Sequence, residues 1–124
     1  MEVVLDSSFL LEWVSRPIKR IEELELKLGK VEFVVLDATI KELEKLASAT
    51  GVKAKKASAA LEYVKNLKRV SVVNINSDTD LTISRYAAKH RSAVATLDQE
   101  LRRRLKETGV TVLTLRDDNL WIDR

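Results

Sequence analysis

The chain has 124 residues, of which 45% are hydrophobic and 33% charged, so one domain spanning 1–124 with a buried core is expected and a disordered chain is excluded. It has no cysteine and a single histidine, His90, which excludes disulfides, thiolate nucleophiles, cysteine zinc sites and any multi-histidine metal centre within one chain. The net charge of +3, with a pI near 9.2, leans towards a polyanionic partner.

Met1–Leu5 reads as a strand and Ser7–Val14 as a helix, with Leu10, Leu11 and Val14 at helical spacing. Pro17 suits the first turn of a second helix, where its missing amide costs nothing. That helix carries Ile18, Ile21, Leu24 and Leu28 and ends at Gly29 as a C′ glycine. Val31–Leu36 predicts the second strand. Ile40, Leu43, Leu46 and Ala47 mark a helix that Gly51 breaks, and Ala57, Ala60, Leu61, Val64 and Leu67 mark the next. Val70–Ile75 predicts the third strand, Leu81, Ile83, Ala87 and Ala88 a helix to about His90, and Ala93–Thr96 a short fourth strand. Leu101 and Leu105 face inward from a helix that stops at Gly109, and Val110–Leu115 predicts the fifth strand. Residues 117–124, with Leu120, Trp121 and Ile122, predict a small edge strand or a partner contact.

Continuous apolar runs alternating with helices predict strands buried on both faces. The fold expected is therefore α/β, a three-layer α/β/α arrangement around a central parallel sheet of about five strands. No apolar stretch approaches the roughly 20 residues of a membrane span, and no basic-then-apolar leader is visible. No membrane partner and a cytoplasmic location are expected.

Four acids each follow an apolar run at the mouth of a helix pattern: Asp6, Glu42, Asp80 and Asp98. In a parallel sheet, ligands bind beyond the C-terminal strand ends, and Asp6 and Asp98 fall there directly. Taken singly, these acids are explained by helix capping. Thr39-Ile-Lys-Glu42, Ser77-Asp-Thr-Asp80 and Thr96-Leu-Asp-Gln99 all have capping-box spacing, and acids near helix N-termini are favoured by the macrodipole. Taken together they are harder to explain so, because two carboxylates about 5 Å apart repel by roughly 3 kcal/mol at an effective dielectric near 20. Such a set needs protons or a cation, and with oxygen as the only ligand type the cation is Mg²⁺ or Mn²⁺. Other α/β sites fit less well. The three glycines lie far apart, which leaves no phosphate loop. Arg116, not lysine, follows the fifth strand, against a receiver domain. Ser8 stands where a haloacid-dehalogenase phosphatase would place its second aspartate.

These residues resemble the PIN domain family. The carrying stretches are Val-Val-Leu-Asp6-Ser7-Ser8-Phe9-Leu10, Glu42-Leu43, Asp80-Leu-Thr-Ile83 and Ala95-Thr96-Leu97-Asp98-Gln-Glu-Leu101, and they cover nearly the whole chain. The likeness is to small archaeal members, VapC-type toxins and rRNA-processing nucleases. It departs where Leu81, not a second acid, follows Asp80, with Asp78 as the nearby spare. The resemblance implies an Mg²⁺/Mn²⁺-dependent endoribonuclease. Asp6 and Asp98 would be direct metal ligands, Glu42 and Asp80 direct or water-mediated ones, and Ser8 and Thr96 supporting hydroxyls. It also implies RNA as partner, an antitoxin protein if the chain is a toxin, and a homodimer. Lys53, Lys55 and Lys56 oppose the macrodipole of the helix they open, which marks them for RNA phosphates, as does the run from Arg102 through Arg103 to Arg104, of which one or two can face a substrate. The competing readings are a non-catalytic RNA- or protein-binding module and a phosphoesterase acting on DNA.

Overall fold

The computed structural model describes residues 1–16, 21–116 and 119–123, and for residues 21–24 the backbone alone. Its strands are β1 (Glu2–Leu5), β2 (Glu32–Leu36), β3 (Lys68–Val70), β4 (Ala93–Ala95), β5 (Val112–Arg116) and β6 (Asn119–Asp123). Its α-helices are α1 (Ser7–Trp13), α2 (Ile21–Leu28), α3 (Asp37–Ala47), α4 (Val52–Val64), α5 (Thr79–His90) and α6 (Gln99–Glu107). The expected start of the second helix at Pro17 and Ile18, and the side chains of Ile21 and Leu24, lie outside the described residues. Gly29 closes α2 as expected, at φ +79°, with its amide donating to the Glu25 carbonyl at 2.8 Å.

One sheet holds all six strands in the order β3-β2-β1-β4-β5-β6. The five expected strands are parallel. The sixth is the C-terminal edge strand, which pairs antiparallel with β5 from Val112↔Asp123 to Arg116↔Asn119. Period-two geometry sends alternate residues to opposite faces. Val3, Leu5, Val35, Ala93, Ala95 and Leu113 join Phe9, Leu10, Leu43 and the small face of α4 (Ala57, Ala60) on one side. Val4, Val34, Leu36, Val94 and Val112 meet Ile83, Ala87, Leu101 and Leu105 on the other. Both faces are covered, which is why the strands read as apolar runs instead of alternating ones. Trp13 packs edge-on against Phe9 and Phe33, and tilted against Tyr63, inside the first of these cores, as its apolar neighbours predict.

The third strand departs from the expected span. It runs Lys68–Val70, and Val72 and Val73 leave the sheet. The reason is the neighbour: β3 pairs only with β2, whose Leu36 faces Val70, and after Leu36 the chain becomes α3. An apolar sequence beyond Val70 has no backbone to pair with. The chain instead passes through a 3₁₀ turn, Ile75–Ser77, with Asn76 and Ser77 at φ of 52° and 55°, before entering α5. Among the described residues, no helix is long and apolar enough to cross a membrane.

Candidate active site

The sheet order reverses between β1 and β4. From β1 the chain works outward through β2 and β3; from β4 it works outward through β5 and β6. A crevice forms beyond the strand ends at such a switch point. Asp6 follows β1 and Asp98 lies just past β4, and the Asp6 amide donates to the Ala95 carbonyl at 3.0 Å, which closes the two strand ends together.

Asp6 is 4% exposed, yet it caps nothing: it stands at the N-cap of α1 with no side-chain capping bond. Its Oδ2 accepts the Thr96 hydroxyl at 2.7 Å and the Ser8 hydroxyl at 2.8 Å. Those hydroxyls are themselves fixed by backbone amides, Thr96 Oγ1 by Asp98 N at 3.1 Å and Ser8 Oγ by Leu97 N at 3.1 Å. One oxygen of Asp6 is thus held by two donors, while Oδ1 makes no hydrogen bond among the described residues. The two hydroxyls that the resemblance singled out, Ser8 and Thr96, thus both donate to Asp6 Oδ2. Thr96→Val removes a donor to a buried carboxylate and the acceptor of an amide, and is expected to cost about 1–3 kcal/mol of stability in chemical denaturation.

The capping explanation divides among the other acids. Asp98 does cap α6, with Oδ1 accepting the Leu101 amide at 3.0 Å. The cap of α5 is Asp78, whose Oδ1 accepts the Leu81 amide at 3.1 Å, so Asp80 is free of that duty. Glu42 caps nothing either, because α3 already starts at Asp37, with Leu36 at its N-cap position. Thr39, the expected capping hydroxyl, is buried and has no hydrogen-bond partner among the described residues.

Electrostatics tie these acids together. Asp80 is pushed up to about 6, by loss of hydration first and then by the charges of Asp6, Asp98 and Asp78, with Arg104 opposing the rise. Glu42, at the exposed rim, is also raised, by partial loss of hydration, then by Asp6 and Asp80, with the Ser7 hydroxyl opposing it. Four carboxylates from four separate segments therefore share one field. Among the described residues, no three histidine, aspartate or glutamate side chains already stand at metal-ligand spacing, so the constellation is open.

The expected cations divide. Lys53 lines a cleft of about 660 Å³ that also takes in Ser7, Ser8 and, of the four acids, Glu42. Lys55 is exposed on α4, and Lys56 lies 3.9 Å from Glu12. Arg102 turns to β5 and β6, with Nη1 3.3 Å from Thr114 Oγ1 and Nε 3.7 Å from Asp123. Arg103 is held by Glu100 at 2.6 Å and Glu107 at 2.8 Å. Of the three consecutive arginines, Arg104 is the one whose charge reaches Asp80. Sequence reasoning also passed over Lys41 and Lys45 of α3, which flank Glu42 in the cleft, although their four-residue spacing puts them on one helix face. His90 stacks on Tyr86, ring centres 4.3 Å apart, in the last turn of α5.

Residues 3–118 match the family described as PIN like domain. Ribonuclease VapC4 of Methanocaldococcus jannaschii is 32% identical over 120 residues, covering 93% of this chain and 90% of that protein. The structure of the PIN domain endonuclease Utp24 superposes with a TM-score of 0.80 at 23% identity, over 99% of this chain and 91% of the other. A chain of VapBC2 from Rickettsia felis, solved bound to a DNA fragment from its promoter, superposes at 0.66 and 14% identity, over 94% of this chain and all of that one. At these identities the two structures speak for the fold.

Proposed function

Because the chain belongs to the PIN-like domain family, we propose that residues 1–124 act as one metal-dependent endoribonuclease domain, hydrolysing RNA phosphodiester bonds at Asp6, Glu42, Asp80 and Asp98. The observation that carries this reading is the crowding of Asp80 and Glu42 beside Asp6: loss of hydration first, and then the charge of Asp6, raises both carboxyls, with Asp98 and Asp78 adding to the rise at Asp80 and Asp80 to that at Glu42. Carboxylates brought together at that electrostatic cost fit a hard divalent cation with oxygen ligands, Mg²⁺ or Mn²⁺. Asp6, through its free Oδ1, and Asp98 would hold it directly, and Glu42 and Asp80 directly or through water. Such a cation supplies positive charge to a phosphoryl oxygen and acidifies the attacking water.

The chain's own residues do the rest. Ser8 and Thr96 lock the Asp6 carboxylate, and the Leu101 amide locks Asp98, so the acids need little reorganisation when substrate arrives. Lys53 and Lys55 contact RNA phosphates. Lys56, Arg102 and Arg103, partly neutralised by Glu12, Asp123, Glu100 and Glu107, contribute less to that contact than their number suggests. The likeness to Ribonuclease VapC4 supports RNA as the substrate. It also supports a VapC-type toxin held by an antitoxin protein; an RNA-processing nuclease is the other setting for the same chemistry. A homodimer in the cytoplasm is part of the proposal.

An oligonucleotide assay tests it. RNA is expected to be cut with Mn²⁺, spared in EDTA, and cut at least about 100-fold more slowly by Asp98→Asn. RNA that binds but stays intact with Mn²⁺ would leave a binding module, and cleavage confined to a DNA oligonucleotide of the same sequence would leave a DNA phosphoesterase.

A further inference from the structure

The cleft beside Glu42 has features that the acids alone do not require. Its volume of about 660 Å³ lies within the range of small-ligand sites. Three lysines line it: Lys41 and Lys45, one turn apart on α3, and Lys53 from the first turn of α4. None of the three forms an ion pair among the described residues, unlike Lys56, Lys65 and Lys68, which sit near Glu12, Glu62 and Glu32. Leu11 and Leu46 add apolar surface to the same cleft, and Asn74 also lines it. The Asn74 Oδ1 lies 2.8 Å from the Thr82 hydroxyl, which accepts from the Ile75 amide at 2.8 Å and shares its one proton between Asn74 Oδ1 and the Asp78 carbonyl, also 2.8 Å away. Thr82 is 2% exposed, so the amide is anchored from inside the protein. The Asn74 Nδ2 group makes no hydrogen bond among the described residues and is left for a ligand.

We infer that this cleft is a subsite for one nucleotide of single-stranded RNA next to the scissile phosphate, with its phosphate held by Lys41, Lys45 and Lys53 and its base edge met by the Asn74 amide. The inference rests on the endoribonuclease reading and adds where the strand lies and which residue discriminates among bases. The physical reasons are three. Ammonium groups are point charges suited to phosphate. Apolar side chains beside them suit a ribose or a base face. A side-chain amide fixed at one end can offer hydrogen bonds to a base edge at the other. The irregular path from Val72 to Ser77 acquires a purpose here, because it carries Asn74 to the cleft wall.

The test separates binding from cutting. Fluorescent single-stranded RNA is titrated against the full chain in EDTA, and cleavage is followed separately with Mn²⁺. Replacing Lys41, Lys45 and Lys53 together by alanine is expected to raise Kd at least tenfold and to flatten the salt dependence by about two units, at roughly 0.7 per lost phosphate contact. A charge-matched control, Lys27, Lys65 and Lys89 to alanine, is expected to change Kd less than threefold. Asn74→Ala is expected to redistribute the cleavage sites among the bases, and Thr82→Val is expected to blur the same preference. Equal losses in the cleft and control variants, or a cleavage pattern unmoved by Asn74→Ala, would overturn the subsite. RNA that binds through these lysines and is never cut would retain the cleft and remove only the nuclease reading.

Discussion

Asp6→Asn is expected to lower the rate of Mn²⁺-dependent RNA cleavage by at least about 100-fold while leaving the fold intact. Asparagine keeps the shape of the side chain and an oxygen that can accept from Ser8 and Thr96, so the two hydroxyls retain their partner. What disappears is the negative charge and the free Oδ1. Loss of one preorganised electrostatic group costs on the order of 10²–10³-fold in rate, and a ligand to a divalent cation belongs with the larger values. The effect should fall on kcat more than on RNA affinity, because Asp6 repels the polyanion when no cation is bound. In EDTA the variant should therefore bind RNA as well as the parent, or better. Full metal-dependent cleavage by this variant, with a native thermal transition, would sink the proposed site.

Much of this site was legible because the local pattern and the global fold agree. Asp6 and Asp98 end buried strands, and strand ends at a topological switch point are where open α/β sheets bind ligands. Ser8 and Thr96 were named only because the resemblance implies supporting hydroxyls there; each lies two residues from one of those acids. Of the cleft lysines, Lys53 was named from the sequence and Lys41 and Lys45 were not. Lys41 and Lys45 look like any solvated helix face until α3 and α4 are packed against the 74–79 segment, and only that packing makes the face concave. The arginine run was ambiguous because successive helix residues turn by about 100°. The sequence cannot say that Asp123 of the edge strand draws Arg102 away and that Glu100 and Glu107 occupy Arg103. The third strand failed for a different reason. Val70–Ile75 has the composition of a strand, but pairing needs a neighbour, and β2 stops at Leu36. Val73, 86% exposed, is the residue that composition misplaced most clearly. None of the three expected box hydroxyls sits at the N-cap: Asp98 itself caps α6, and Asp78 caps α5 and relieves Asp80 of that duty.

That relief sets up the second large effect, Asp80→Asn, which is expected to stabilise the fold at neutral pH while suppressing cleavage. Folded Asp80 titrates at about 6 against an ordinary value of 3.8. Between those two values the native state holds more protons than the unfolded state, so stability falls as pH rises through the window, and the whole penalty is in force above about pH 6. At about 1.4 kcal/mol per unit the shift corresponds to roughly 3 kcal/mol. The side chain is partly open to water, so screening brings a realistic gain for asparagine nearer to about 1 kcal/mol. For a chain of this size that is a rise in Tm of about 3–5 °C at pH 7.5. Well below the ordinary value of 3.8, at about pH 2–3, the carboxyl is neutral in both states and the gain should vanish. Mn²⁺ supplies a second, independent arm. A cation that binds only the native state raises its stability by RT ln(1 + c/Kd), with c the free Mn²⁺ concentration, so Mn²⁺ should raise the Tm of the parent and do so much less for Asp80→Asn. The two proteins should then converge in Tm as Mn²⁺ is added, although only the parent cuts RNA. An Asp80→Asn protein that is no more stable than the parent at pH 7.5 without metal would mean that the acids are not crowded. One that gains as much from Mn²⁺ as the parent would mean that Asp80 has no part in holding the ion.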